Sequence, residues 1–210
     1  MTSEEMFPAS DFDAWAGHYD QSIQEESVFP FDGYNRVLEN IIEWAAVSDR
    51  KSVLDLGTGT GNLALLFAKQ GCQLVCTDFS QSMLVLARGK LPQANFFLHD
   101  LRFPLPLGER RFDAIVSAYV FHHFPLTQKI EICLRLVNEL LAQGGRLVIG
   151  DISFPSFSTK EEFKQTIPDW EDEFYWFADE ALEALLQAGL RARYQQVSAC
   201  AGVYEIRSGG

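Results

Sequence analysis

The hydrophobic positions of this chain switch repeatedly between short apolar runs, which are typical of buried strands, and the wider spacing of helices. The predicted strands cover residues 52–56, 74–77, 95–98, 114–117, 146–150, 193–197 and 203–207. Helical spacing falls between them, as at residues 62–69, which Gly71 follows as a helix-ending residue. This alternation predicts parallel strands joined by right-handed crossovers, with helices on both faces of a doubly wound α/β sheet. The last two strands are close enough in sequence to form a hairpin.

Local signals predict where several helices begin and end. Ser80 can cap a helix that closes before a proline. A helical stripe over residues 130–141 is expected to end at Gly144. Thr159 begins a capping-box spacing, and Asp179 can cap a later helix.

The most informative stretch is the glycine-rich turn that follows the first predicted strand. Gly57, Gly59 and Gly61 alternate there with threonines, of which Thr58 is the first, and a helix opens directly afterwards. Such glycines permit a tight turn and close approach of a ligand, and the helix N-terminus presents amide groups to an anion. Ligands of doubly wound sheets bind beyond the carboxyl ends of the strands, so this loop is a candidate binding site.

Asp55, two residues before the first glycine, distinguishes between two possible ligands. A carboxylate here would repel the pyrophosphate of a dinucleotide. S-adenosylmethionine (SAM) instead carries an ammonium, a carboxylate and a sulfonium cation, and Asp55 can pair with the ammonium while loop amides take the carboxylate. The alternative is that Asp55 only braces the loop through bonds to backbone amides.

Two further acids follow the second and third strands. Asp78 stands where this type of fold places the acid that binds ribose hydroxyls, although it could also serve as a helix cap. Asp100 can accept from an adenine amino group, or it can be an ordinary loop acid.

Composition and charge restrict the classes of molecule that the protein can bind. Seventeen basic residues face 29 acidic ones, a formal charge of −12, which disfavours nucleic acid and anionic membrane surfaces as partners. No apolar run is long enough to span a bilayer and the N-terminus lacks the pattern of a signal peptide, so we expect a cytoplasmic protein. The four cysteines lack a zinc-ligand spacing; we expect reduced thiols and no metal site.

Five segments in chain order together resemble the class I SAM-dependent methyltransferase family. They are VLDLGTGTG at 53–61, TDFSQSML at 77–84, HDL at 99–101, FDAIVS at 112–117 and LAQGGRL at 141–147. The segment FDAWAGHYD at 12–20 is similar to small-molecule members, including quinone-biosynthesis-like enzymes and enzymes near sulfur-amino-acid recycling. Residues 117–120 depart from the Asn/Asp-Pro-Pro-aromatic stretch of nucleic-acid amino-methyltransferases.

The resemblance implies a single domain over residues 1–210 with a seven-stranded, mostly parallel sheet whose last strand is antiparallel. It implies an N-terminal helical segment over 1–48 and a cap insertion over about 152–178. It also implies that SAM is the cofactor, and that further residues of the matching motifs contact it. Those residues are Tyr19, which would help to close over the cofactor, and Phe79, Met83, Leu101 and Ser117. Tyr19 with Trp15 could instead form one helix's packing face.

Methyl transfer mainly requires positioning, and a base is needed only when the acceptor must lose a proton. His122 and His123 lie just past the fourth strand and are the candidate bases, unless they cap the next helix or pack on neighbouring phenylalanines.

Aromatic residues of the cap insertion, from Trp170 to Phe177 with Phe154 and Phe157 upstream, could roof an apolar or cationic acceptor or could be a packed structural cap. Acids at 169 and 171–173 are interleaved with them and could attract a cationic acceptor. The sequence thus favours SAM-dependent methylation of a small molecule. A non-catalytic SAM-binding or partner-binding protein and an NAD-dependent oxidoreductase are the alternatives.

Overall fold

The computed structural model describes residues 8–23, 29–168 and 170–209, and its centre is a twisted sheet. The strands are β1 (Ser52–Leu56), β2 (Gln73–Asp78), β3 (Asn95–Leu98), β4 (Phe112–Ala118), β5 (Leu141–Phe154), β6 (Trp176–Phe177), β7 (Leu190–Gln196) and β8 (Ala201–Ser208). The sheet order is β3-β2-β1-β4-β5-β8-β7, and the two-residue β6 pairs with β5 outside this path.

The predicted fold class is confirmed. β1 to β5 pair in parallel, whereas the last strand, β8, is antiparallel to both β5 and β7 and lies between them. β7 and β8 form the expected hairpin. The short β6 is an addition that the sequence pattern did not predict, because two residues carry no detectable period.

Helices cover both faces of the sheet. Within the described residues they are α1 (Ala9–Ser22), α2 (Tyr34–Ala45), α3 (Asn62–Lys69), α4 (Gln81–Lys90), α5 (Leu126–Glu139), α6 (Phe157–Lys164) and α7 (Ala178–Gln187), with a 3₁₀ turn at Phe121–His123. Alternate strand residues separate two cores: Val53 joins the side covered by α2 and α3, while Leu54 joins the side covered by α5 and α7. This two-sided burial explains the nearly continuous apolar runs of the central strands.

Several predicted helix boundaries need correction. Ser80 does cap α4, since its hydroxyl accepts from the Met83 amide. The helix over 130–141, however, ends at Glu139, and Gly144 lies within β5, where the pairing register to β4 shifts. A glycine in a strand marks such an irregularity as readily as it ends a helix.

Two predicted caps are also wrong. Ser156, rather than Thr159, caps α6, because its hydroxyl accepts from the Thr159 amide. Asp179 lies in the first turn of α7 and not at its N-cap position, which Phe177 occupies.

Candidate functional site

The glycine loop connects the end of β1 to the start of α3 and forms one wall of a large cavity. Gly57 and Gly59 both adopt positive φ angles, +63° and +53°, which a side chain disfavours. A Cβ at Gly57 would lie 2.3 Å from Val120 Cγ2, whereas a Cβ at Gly59 would meet no atom within 4 Å. Gly57 is therefore required by packing, while the backbone at Gly59 faces open space in which a ligand can approach it.

The cavity has a volume of about 610 Å³, within the usual range for small-molecule sites. Twelve residues were predicted to bind the cofactor, and eight of them lie on the cavity wall. Those on the wall are Tyr19, Gly57, Gly59, Asp78, Phe79, Met83, Asp100 and Leu101. Asp55, Thr58, Gly61 and Ser117 lie behind the wall instead.

Asp55 illustrates why these residues lie behind the wall. Its carboxylate is 1% exposed and accepts a 2.6 Å hydrogen bond from the Thr58 hydroxyl. The structure thus favours the interpretation of Asp55 as a brace for the loop over direct pairing with a ligand. Burial raises the pKa of Asp55 to about 7, opposed by the Thr58 bond. Ser117 likewise turns inward and donates to the Leu56 carbonyl.

Asp78 at the end of β2 is the buried acid on the cavity wall. One carboxylate oxygen accepts from the Gly59 amide and the other from the Ser80 amide, both at 2.8 Å. It therefore ties the glycine loop to the start of α4, while each oxygen keeps a lone pair for a further donor. Burial raises its pKa to about 6, against these backbone bonds.

Asp100 carries a partner that sequence reasoning missed. Arg102 Nε donates to both of its oxygens, at 3.0 and 2.9 Å, and Arg102 also lines the cavity. Although burial alone raises the pKa of Asp100, the Arg102 guanidinium holds it below its ordinary value. Asp100 thus remains ionised, and the i, i+2 spacing was the available signal.

The N-terminal helix α1 is fastened across this wall by two carboxylates. Asp13 accepts from the Ser80 hydroxyl at 2.5 Å and from the Ser82 amide at 3.0 Å. Asp20 accepts from the Thr60 hydroxyl at 2.5 Å and from the Lys90 ammonium at 2.7 Å. Because the two acids are seven residues apart, they lie on one helix face, and α1 bridges the glycine loop and α4.

Aromatic rings form a further part of the cavity wall. Trp15 and Tyr19 of α1 and Trp170 and Tyr175 of the later insertion all line it, as the sequence predicts for a roof. Phe29 and Phe31 also line it, although no sequence motif marks them. These six rings are called the aromatic roof. Phe29 stacks on Trp170 with ring centroids 4.8 Å apart, joining the two segments.

The rest of the predicted aromatic cap has a structural role. Trp176 is fully buried in the core under α5 and α7, and Phe154 packs in the other core against Phe163. Phe157 contacts Phe177 outside the cavity. For Trp176 and Phe154 the packed-cap alternative is correct, whereas Phe157 is 53% exposed. Residue 169 lies outside the described part of the chain.

His122 and His123 both line the same cavity. Neither caps α5, whose N-cap is Pro125. His122 Nδ1 lies 2.5 Å from Asp151 Oδ1, and its Nε2 lies 3.6 Å from Glu173 Oε2. Burial alone lowers the pKa of His122, but the charge and hydrogen bond of Asp151 outweigh it, and the net shift is upward.

His123 has the opposite electrostatic environment. Burial lowers the pKa of His123 well below its ordinary value, and the neighbouring His122 and Lys129 add to this shift. Its ring stands edge-on to Phe12, with centroids 5.3 Å apart. Donor atoms of His122, His123 and Glu173 lie within 4.8 Å of one another, so the structure brings together three groups able to bind a metal, which the sequence spacing did not indicate.

Tyr119 forms the floor beside the histidines and has an unusual backbone. It adopts a positive φ of 57° at the end of β4, a conformation that is rare for an aromatic residue and that clusters at functional sites. Its ring stacks on Tyr34 at 5.3 Å. The buried hydroxyl has no hydrogen-bond partner within the described residues, so a bound ligand could supply one.

Comparisons with known proteins now identify the class. A family model described as "Methyltransferase domain" matches residues 53–145. An uncharacterized methyltransferase of Alkaliphilus oremlandii is 31% identical over 193 residues, which cover 85% of this chain and 87% of that protein. One from Geobacillus kaustophilus is 31% identical over 211 residues, covering 92% and 94%. The chain belongs to the class I SAM-dependent methyltransferase family.

Solved structures agree with this fold. DhpI in complex with S-adenosylhomocysteine (SAH) has a TM-score of 0.74 at 20% identity, with 96% of this chain and 95% of that chain covered. Magnesium protoporphyrin IX methyltransferase from Synechocystis with bound SAM has a TM-score of 0.71 at 16% identity, covering 99% and 98%. SAM is the cofactor of the family. In the described residues, no helix is long and apolar enough to cross a membrane.

Proposed function

We propose that this enzyme transfers a methyl group from SAM to a small molecule held in the cavity beneath the aromatic roof. The observation that carries the proposal is a cavity with the glycine loop and Asp78 on one part of its wall and the aromatic roof on another. The first wall has the chemistry for the cofactor, and the second has the chemistry for an organic acceptor. The cavity, of about 610 Å³, has room for a cofactor and a compact metabolite.

The residues present fit SAM. The open space at Gly59 lets a ligand approach the backbone closely, and Asp78 keeps lone pairs for ribose hydroxyls. Phe79, Met83 and Leu101 offer apolar contacts to an adenine ring, with Asp100 at its edge. Asp55 acts through the Thr58 bond, which braces the loop from behind the wall. When bound, SAM supplies an activated methyl group on a sulfonium sulfur.

The acceptor end is assigned to the roof and the two histidines. Segments 1–48 and about 152–178 both contribute roof residues, which supports their proposed role as parts of one domain over 1–210 that build the acceptor pocket. His122 and His123 line the same cavity as the roof and are the candidate bases for the acceptor. The formal charge of −12 supports a small molecule over nucleic acid.

Calorimetric titration with SAM, SAH and NAD tests the cofactor half of the proposal. At pH 8, above the pKa of about 7 for Asp55 and about 6 for Asp78, we expect SAM and SAH to bind and NAD to bind more weakly, because the two acids are then ionised and repel a pyrophosphate. Tighter binding of NAD would refute this assignment. Conversion of SAM to SAH in the presence of a metabolite panel tests the acceptor half. SAH formation with only a nucleic acid or a protein would contradict it.

A further inference from the structure

The geometry points to Asp151 as the residue that positions His122 as a proton acceptor, and hence to an acceptor class. We infer that the methylated atom carries a dissociable proton and that the acceptor is not an anion. A hydroxyl, a thiol and a protonated amine on an apolar body meet both conditions. The inference rests on the proposed function and goes beyond it by naming the substrate chemistry.

Asp151 is locked in place by the end of β5. It is fully buried, and its two oxygens accept from the Ile152 amide at 2.7 Å and from the His122 amide at 3.0 Å. The remaining contact is the 2.5 Å bond to His122 Nδ1. A carboxylate acceptor fixes the imidazole proton on Nδ1, so the lone pair of neutral His122 stands on Nε2.

Nε2 is directed toward the acceptor end of the cavity. Its neighbour there is Glu173, 3.6 Å away and half-buried on the cavity wall. The other titratable groups near the ring are His123, with ring centroids 4.0 Å apart, and Lys129 from α5. Lys129 Nζ donates to the Phe174 carbonyl and lies over the Trp176 ring. An acceptor that enters beside Glu173 therefore meets Nε2 as a base.

The proton transfer to His122 restricts the chemical class of the acceptor. The new bond joins the acceptor atom to the methyl carbon, the methyl–sulfur bond breaks with its electron pair left on sulfur, and the acceptor's proton passes to His122 Nε2. A thioether or a tertiary amine has no proton to give and would make the Asp151–His122 pair superfluous. Glu171 and Glu173, the carboxylates beside the roof, repel a carboxylate or phosphate acceptor.

Nitrogen NMR of the histidine rings tests the positioning role without any acceptor. In the wild-type chain we expect neutral His122 to carry its proton on Nδ1 and to titrate above the ordinary histidine pKa. Asp151→Asn should move this titration downward and mix the tautomers, because the fixing charge is lost. Asp113→Asn is the matched control: Asp113 binds Ser52 and Lys51 at the far end of β4 and should leave His122 unchanged. Neutral wild-type His122 protonated on Nε2 would overturn the inference.

The acceptor class is tested with a panel sorted by chemistry. Phenols, alcohols, thiols and amines are compared with thioethers, tertiary amines and carboxylates on similar apolar bodies. We expect SAH formation only in the first group, and a loss of about 100-fold or more in kcat for Asp151→Asn and His122→Gln. The rate for the wild-type chain should rise with pH through the His122 titration. Turnover confined to the second group would refute the inferred class.

Two measurements keep the outcomes distinct. If the wild-type chain does not bind SAH, the proposed function itself is wrong. If it binds SAH but neutral His122 carries its proton on Nε2, only this inference is wrong. Should Asp151→Asn fail to fold, the wild-type tautomer and the His122→Gln rate still decide the question. Stoichiometric metal at His122, His123 and Glu173 that restores turnover after chelation would show that the site binds a metal and is not a base.

Discussion

Replacing Gly59 with alanine separates the ligand's need for backbone access from the stability of the loop. Gly59 has a φ of +53°, and a Cβ there would meet no protein atom within 4 Å, so the cost in the free protein is backbone strain alone. That strain is about 1–2 kcal/mol for an L-residue in the left-handed region. In a chain of this size it lowers Tm by roughly 2–4 °C for each kcal/mol. The bond from the residue 59 amide to Asp78 is retained.

Gly59→Ala should weaken ligand binding more than it lowers the stability of the protein. The added methyl group projects into the cavity where the cofactor backbone contact is proposed, and we expect SAH affinity to fall at least about tenfold, or ~1.4 kcal/mol. Calorimetric titration gives the affinity, and thermal unfolding gives the stability.

Gly108→Ala is the matched control for this change. Gly108 has a φ of +60° and equally open surroundings, but it lies in a turn away from the cavity. It should show the same small loss of Tm with unchanged SAH affinity. If Gly59→Ala binds SAH like the wild-type chain, or if both variants lose affinity equally, the cofactor does not contact the backbone at Gly59.

Three further predictions concern the same wall. Asp78→Asn should weaken SAH binding by about 1–3 kcal/mol while the chain stays folded, and an unchanged dissociation constant would remove Asp78 from the site. Because burial raises the pKa of Asp55 to about 7 and that of Asp78 to about 6, the folded chain retains protons that the unfolded chain has lost. The stability of the ligand-free protein should therefore fall as the pH rises from about 4 to 7, and SAH affinity should rise. Thermal scans and calorimetry across this range test both trends, and if the pKa values of the two acids are unshifted, these acids contribute no such fall in stability. Hydrogen exchange in α1 should slow when SAH is added, since Asp13 fastens that helix to the start of α4 and Asp20 fastens it to the glycine loop. Equal protection in both states would argue against a closing role.

Local patterns in the sequence were sufficient to predict the strands of the sheet and the residues of the cofactor wall. The strands that carry Asp78 and the glycine loop are short apolar runs with clear ends, and parallel strands bring their carboxyl ends to one edge. Asp78 and Gly59 could be found because the chemistry and the spacing lie within about thirty residues of chain. The same reasoning placed Asp55 in the loop, but it could not decide that its carboxylate would turn inward to Thr58.

The acceptor end was decided by tertiary structure. His122 and Asp151 are 29 residues apart in the chain, and the β4–β5 register brings them into contact. Phe29 and Trp170 stack across a still longer separation, although neither stretch carries a motif. Trp176, only six residues after Trp170, belongs to the core and not to the roof. Periodicity predicts which residues are apolar and which elements form, because it reflects neighbours along the chain. Which aromatic ring faces a ligand and which carboxylate orients a histidine depend on how distant elements pack, and only the folded structure determines that.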